Sequence, residues 1–211
     1  MKVAVLGGTG EMGSAIAKQL SRSNQVIIGS RDPARASEAA RSIAGAEGLG
    51  YLEAVQKADV VVFAIPYSAL GEAARLSGPA TGKLVISAVN PLKLEGGLLK
   101  FAKADGSAAE ELASLLPGSR VATAFNNVSA LFFKTDEVVP MDILVAADSK
   151  ETYEEAANLV RGIPNLRPLY AGPLSEARIV ERITPLILNL SRLNKTKSLA
   201  TKFVATEGNG K

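Results

Sequence analysis

The sequence has no cysteine, no histidine and no tryptophan in its 211 residues. Without cysteine there is no disulfide framework and no thiolate metal ligand. Without histidine there is no imidazole to serve as general base in a Ser-His-Asp or Cys-His machine, and no His-held zinc, so no metal site is expected. A bound cofactor is then the natural place to look for reactivity. Charge of either sign is also scarce as a run: 24 Lys plus Arg against 21 Asp plus Glu leave a net +3 spread along the chain. That pattern suits a solvated surface and predicts no nucleic-acid partner. Long hydrophobic runs are missing as well. Val60-Val61-Val62-Phe63-Ala64-Ile65 is too short to cross a bilayer, so no membrane association is expected. No signal segment precedes the first strand pattern, which predicts a cytoplasmic location. What is present is enough apolar residue, 47%, to bury a core, in a length that suits one domain with a small appendage.

Val3-Ala4-Val5-Leu6 reads as a strand buried on both faces. Helix-period residues follow over 10–21, with Met12, Ile16 and Leu20 on one face. A second strand is expected at 26–28, and Asp32-Pro33 caps a helix running to residue 42. Further strands are expected at 60–65, 84–88, 121–124 and 143–147. Helices are expected at 69–76 and 107–116, the latter opened by a Ser107/Glu110 capping box. Residues 45–50 read as a glycine-rich connector. The last third predicts a helix over 150–161, a strand near 167–170 and a long helix over 175–199. Pro185 should kink or break that helix, because it leaves the Glu181 carbonyl without its usual donor. This alternation predicts an α/β fold, a Rossmann-type doubly wound parallel sheet with a small C-terminal helical segment. The expected division is 1–148, 149–205 and a frayed tail over 206–211.

Gly8-Thr9-Gly10-Glu11-Met12-Gly13 matches G-x-G-x-x-G between a predicted strand and a predicted helix, the setting in which this motif carries weight. Gly8 allows the tight turn, Gly10 lets the backbone approach a pyrophosphate, and Gly13 lets helix and strand pack closely. The free N–H groups at the helix start then face the anion. At the end of the second strand, NAD binders place an acid on the ribose 2′-hydroxyl. Here Ser30-Arg31 stands there instead, with Arg35 one turn on. A guanidinium grips a 2′-phosphate with paired hydrogen bonds, so NADP(H) is the expected coenzyme. Ligands in such sheets lie beyond the carboxyl ends of strands. That adds Ile65, Pro66 and Ser68 at one strand end and Val89, Asn90 and Pro91 at the next.

These motifs resemble the family of NADPH-dependent reductases of coenzyme F420. The resemblance runs through Gly29-Ser30-Arg31 and Ile65-Pro66 and returns in Arg167-Pro168-Leu169, in Ala171-Gly172-Pro173-Leu174-Ser175 and in Glu181-Arg182-Ile183-Thr184-Pro185-Leu186. It implies hydride exchange between nicotinamide C4 and deazaflavin C5, with no catalytic side chain. It also implies a C-terminal wall to the deazaflavin pocket that includes Thr184 and Leu188, contacts from Asn126 and Val128, and a homodimer. Archaeal members carry a histidine at the position matching Asn126, which cannot titrate. Other similar proteins pair NADPH with an ordinary flavin, so an FMN or FAD reductase is one alternative. A dehydrogenase of a small substrate is another, although fewer residues follow Ala147 than a large helical domain needs. A non-catalytic NADPH-binding module is the third.

Overall fold

Val3, Ala4, Val5 and Leu6 are fully buried, and they sit in the centre strand of the molecule. The computed structural model describes residues 1–134 and 138–205; the tail at 206–211 lies outside the described residues. The first half runs β1 (Lys2–Leu6), α1 (Glu11–Leu20), β2 (Gln25–Ser30), α2 (Pro33–Ala40), β3 (Glu47–Gly50) and α3 (Tyr51–Lys57). It continues through β4 (Val60–Phe63), α4 (Leu70–Ser77), β5 (Leu84–Ser87), β6 (Leu92–Glu95), β7 (Leu98–Phe101), α5 (Ala108–Leu115) and β8 (Arg120–Thr123). Six parallel strands form one sheet in the order β3-β2-β1-β4-β5-β8. The order reverses at β1, between β2 and β4, and there the crevice for a ligand opens.

Period-2 alternation divides the core between the two faces of this sheet. Val3, Val5, Val60, Val62, Leu84 and Ile86 pack on one side with Ala15, Ile16 and Leu20 of α1. Ala4, Leu6, Val61, Phe63 and Val85 pack on the other with residues of α3, α4 and α5. Register is fixed by these apolar rows: Val5 lies opposite both Ile28 and Val62.

The chain continues through α6 (Ala130–Lys134), β9 (Met141–Ala146), α7 (Lys150–Arg161), β10 (Leu166–Gly172) and α8 (Ala177–Leu193). The strand expected at 143–147 does not join the main sheet. It forms β9, which pairs in parallel with β10 as a separate two-stranded sheet straddling residue 148. The sheets are tied where the Ala146 N–H donates to Thr123 Oγ1 at 2.9 Å and Ala122 bridges Ala147. After α8 the chain returns over β9: the Asp142 N–H donates to the Thr201 carbonyl at 2.9 Å, and Arg167 grips the Asp142 carboxylate with two bonds of 2.7 and 2.8 Å.

Three expectations are corrected. Residues 47–50 are not a connector but the edge strand β3. Its short polar sequence hides this, and Gly48 is required because a Cβ there would stand 2.3 Å from the α2 backbone at Ala36. The final helix stops at Leu193 rather than at residue 199. There the Asn194 side chain donates to the Leu190 carbonyl, and Lys195 takes a left-handed φ of 55°. Pro185 does not break that helix, which is continuous through it. The antiparallel hairpin β6–β7 has no counterpart among the sequence expectations. The Asn189 amide of α8 clamps it, accepting from the Leu99 N–H at 2.9 Å and donating to the Leu99 carbonyl at 2.8 Å.

Candidate active site

β1 ends at Leu6 and the chain enters α1 at Glu11, with Gly10 as N-cap and no side chain capping the first turn. The orphan N–H groups of that turn are therefore available to an anion. A Cβ at Gly13 would fall 2.2 Å from the Gly7 carbonyl oxygen, so only glycine lets the helix start lie this close to the turn. Gly8 and Gly13 are buried in the turn, whereas Thr9 and Gly10 face a cleft of about 740 Å³.

The same cleft is lined by Ser30, Arg31 and Arg35 from the β2 side and by Ile65, Pro66 and Ser68 from the β4 end. Asp32 is committed elsewhere: its carboxylate accepts from the Ala34 N–H at 2.9 Å and caps α2, as its place before Pro33 predicts. The Ser30 hydroxyl accepts from the Asp32 N–H at 3.2 Å. Arg31 reaches across the cleft to the Glu72 carboxylate of α4 at 3.1 Å. Tyr51 also lines this end; burial pushes its phenol up, and the Arg31 charge opposes that shift.

An adjoining recess of about 310 Å³ shares Gly10, Ile65 and Pro66 with the cleft and adds Glu11, Met12, Ala88 and Asn90. Most of the residues expected at the site thus line one continuous groove over the carboxyl ends of β1, β2, β4 and β5. Val89 and Pro91 do not line it; both are buried. The Glu11 carboxylate, beside the helix start, is paired with Lys134 at 2.6 Å.

Behind Asn90 lies a polar junction. Asn90 Nδ2 donates to the Asn126 carbonyl at 3.1 Å, and Asn126 Nδ2 donates to the Val89 carbonyl at 3.0 Å. The Thr184 hydroxyl of α8 lies 2.7 Å from the Asn126 carbonyl and 3.1 Å from Asn90 Oδ1. Phe125, just before Asn126, holds φ at 65°, a strained value for a bulky residue, and its ring packs edge-on against Phe133. Asn126 Oδ1 is buried without a hydrogen-bond partner among the described residues. Asn126, Val128, Thr184 and Leu188 do come together, but the recess they enclose is only about 10 Å³, the space of about one water.

Sequence reasoning missed Tyr51 and Glu72. Glu72 had a signal: it falls in the first turn of the helix that follows the strand end at Ile65–Ser68. Tyr51 had none, because β3 and α3 were not visible in the pattern. It also missed Glu181. This fully buried carboxylate accepts from the Ala108 and Ala109 N–H groups at 2.9 and 3.1 Å and joins α8 to the start of α5. Burial pushes it up to about 7, against those two backbone donors.

Fold and site together define a dinucleotide-binding protein of the Rossmann class, with a basic rather than an acidic group at the end of β2. Comparison with known proteins takes the assignment further. Residues 2–91 match the family model described as NADP oxidoreductase, coenzyme F420-dependent. The chain is 39% identical to the F420-dependent NADP reductase of Methanothermobacter thermautotrophicus, over 96% of this chain and 94% of that one. It is 34% identical to the protein of the same name from Methanocaldococcus jannaschii, over 98% of this chain and all of that one. A solved structure from Arthrobacter sp. FB24 superposes with a TM-score of 0.86 at 22% identity, covering 97% of this chain and all of that one. The chain belongs to the family of F420-dependent NADP reductases.

Proposed function

We infer that this protein exchanges a hydride between NADP(H) and the 8-hydroxy-5-deazaflavin coenzyme F420. The observation that carries the reading is the single groove running from Arg31 and Arg35 at one end to Asn90 at the other. Its donor set fits NADP(H): uncapped N–H groups at the start of α1 for the pyrophosphate, and guanidinium groups with the Ser30 hydroxyl for the 2′-phosphate. The names of the relatives from the two methanogens supply the acceptor.

When bound, nicotinamide and deazaflavin supply the chemistry: a hydride passes between C4 and C5, and one solvent proton completes or leaves the deazaflavin. The chain's residues position these rings. Asn90, held by Asn126 and Thr184, fixes the inner end of the groove in one geometry, and the apolar faces of Met12, Ile65 and Ala88 keep water from the reacting carbons. No titrating side chain is needed. In this reading residues 1–148 bind NADP(H), and residues 149–205 add the wall at Thr184 and Leu188. The narrow recess at that wall must widen to admit a tricyclic ring. Ile179, Leu186, Leu190 and Leu193 are exposed along α8, and we assign that stripe to a homodimer interface. A cytoplasmic location belongs to the same reading, since both coenzymes are intracellular. Among the described residues no helix is long and apolar enough to cross a membrane.

The test is an acceptor screen. NADPH should reduce F420 with a kcat/KM well above that for FMN, FAD or riboflavin. Faster turnover with an ordinary flavin would replace F420 by that flavin, and NADPH binding without turnover would reduce the protein to a binding module.

A further inference from the structure

The mouth of the groove holds a carboxylate where the coenzyme's 2′-phosphate is expected. Glu72 comes from α4, on the opposite side of the cleft from Arg31, and the two form an ion pair at 3.1 Å. Their side chains are 49% and 62% exposed, so the pair is weak and can open without disturbing the core. The charges around it are accounted for. Asp32 is committed to its helix cap, and Arg35 forms no ion pair among the described residues. The Tyr51 phenol beneath is raised by burial and stays neutral. Arg31 therefore has one anionic partner in the free protein, and that partner lines the same cavity.

We propose that Glu72 sets coenzyme affinity and selectivity by competing with the 2′-phosphate for Arg31. The proposal rests on the NADP(H) reading of this cleft. A carboxylate near the ribose repels a phosphate but accepts a hydrogen bond from a 2′-hydroxyl, the role that an acid at the end of β2 plays in NAD binders. Here the acid is delivered from α4 instead, and it lines the cleft beside the guanidinium it pairs with. Two consequences follow. Binding of a 2′-phosphate must break the Arg31–Glu72 pair, which moderates affinity and speeds release. A ligand with a free 2′-hydroxyl leaves the pair intact and finds an acceptor in Glu72, so it keeps a residual affinity.

The test is calorimetric titration of the full chain with 2′,5′-ADP and with 5′-AMP, for the wild type, Glu72→Gln, Arg31→Ala and the double variant. Glu72→Gln should tighten 2′,5′-ADP by about three- to tenfold, the strength of the exposed ion pair that the phosphate no longer has to break, and should not tighten 5′-AMP. In the Arg31→Ala background the same substitution should gain less than about twofold. With NADPH as substrate, Glu72→Gln should lower KM and leave kcat unchanged or slightly reduced. An unchanged 2′,5′-ADP affinity in Glu72→Gln overturns the proposal, as does a gain that persists without Arg31. If the wild type binds 2′,5′-ADP no better than 5′-AMP, the NADP(H) reading of the cleft fails, and the proposal fails with it.

Discussion

At the mouth of the groove the charged side chains are exposed and loosely paired, whereas at its inner end the polar side chains are buried and bonded to one another. Arg31 and Arg35 stand in solvent, and the sole ion pair of Arg31 is to Glu72 among the described residues. Asn126 and Thr184, by contrast, are buried and share hydrogen bonds with Asn90. The mouth is built to reorganise when a charged ligand arrives. At the inner end the hydrogen bonds around Asn90 are organised in advance, and only the narrow recess beside Thr184 and Leu188 would have to open for a tricyclic ring.

Substitutions can break this contrast, and the largest effect belongs to the mouth. Arg31→Asp removes a charge-assisted grip and adds repulsion, so kcat/KM for NADPH should fall by about a hundredfold or more while NADH changes little. An unchanged ratio of the two kcat/KM values would show that Arg31 does not read the phosphate.

The next effect lies in the wall behind the inner end. Glu181 has a folded-state value near 7 against an ordinary 4.5, so between those values the unfolded chain releases its proton first. Stability should therefore fall as pH rises from about 4.5 to 7, by about 3 kcal/mol in all, and level off above. Urea melts across that range would show it, and Glu181→Gln should flatten the curve. A wild-type curve without that fall, or one that Glu181→Gln leaves in place, would mean that the carboxylate is already ionised in the fold.

Thr184→Val keeps the shape of the side chain but removes the donor to the Asn126 carbonyl, for a loss of about 1–2 kcal/mol in stability. If Thr184 positions the inner end, kcat with F420 should drop while the Kd for NADPH stays the same. An equal weakening of both coenzymes would make Thr184 a structural residue only. The smallest effect is expected from Arg35→Ala. It lacks an ion-pair partner among the described residues, and its loss should weaken NADPH by about two- to fivefold, the worth of one exposed charge contact. A far larger loss would make Arg35, rather than Arg31, the main phosphate ligand.

Much of the mouth was legible because its signals are local. The turn at Gly8–Gly13, the Ser30-Arg31 pair and the Asp32-Pro33 cap each declare themselves within a few residues. The sheet was legible for the same reason, since β1, β4 and β5 are continuous apolar runs. What escaped depends on contacts distant in sequence. Strand patterning fails at β3 because Glu47, Gly48, Leu49 and Gly50 include no β-branched residue, and what holds them is the close approach of α2. The hairpin β6–β7 was readable in principle from Leu92-Lys93-Leu94-Glu95 before Gly96-Gly97, but its anchor is Asn189, some 90 residues away. Glu181 looked like one more charge on a helix, and only the fold reveals that it faces the start of α5.

At the centre of this picture, the chain positions two rings for direct hydride exchange and supplies no acid or base of its own. That is tested most directly by following deuterium from NADPH labelled at C4, prepared separately on each face, into F420. One of the two labelled forms should deliver its deuterium to C5 of the reduced deazaflavin without loss to water. Deuterium appearing in solvent, or absent from C5 with both forms, would contradict direct exchange.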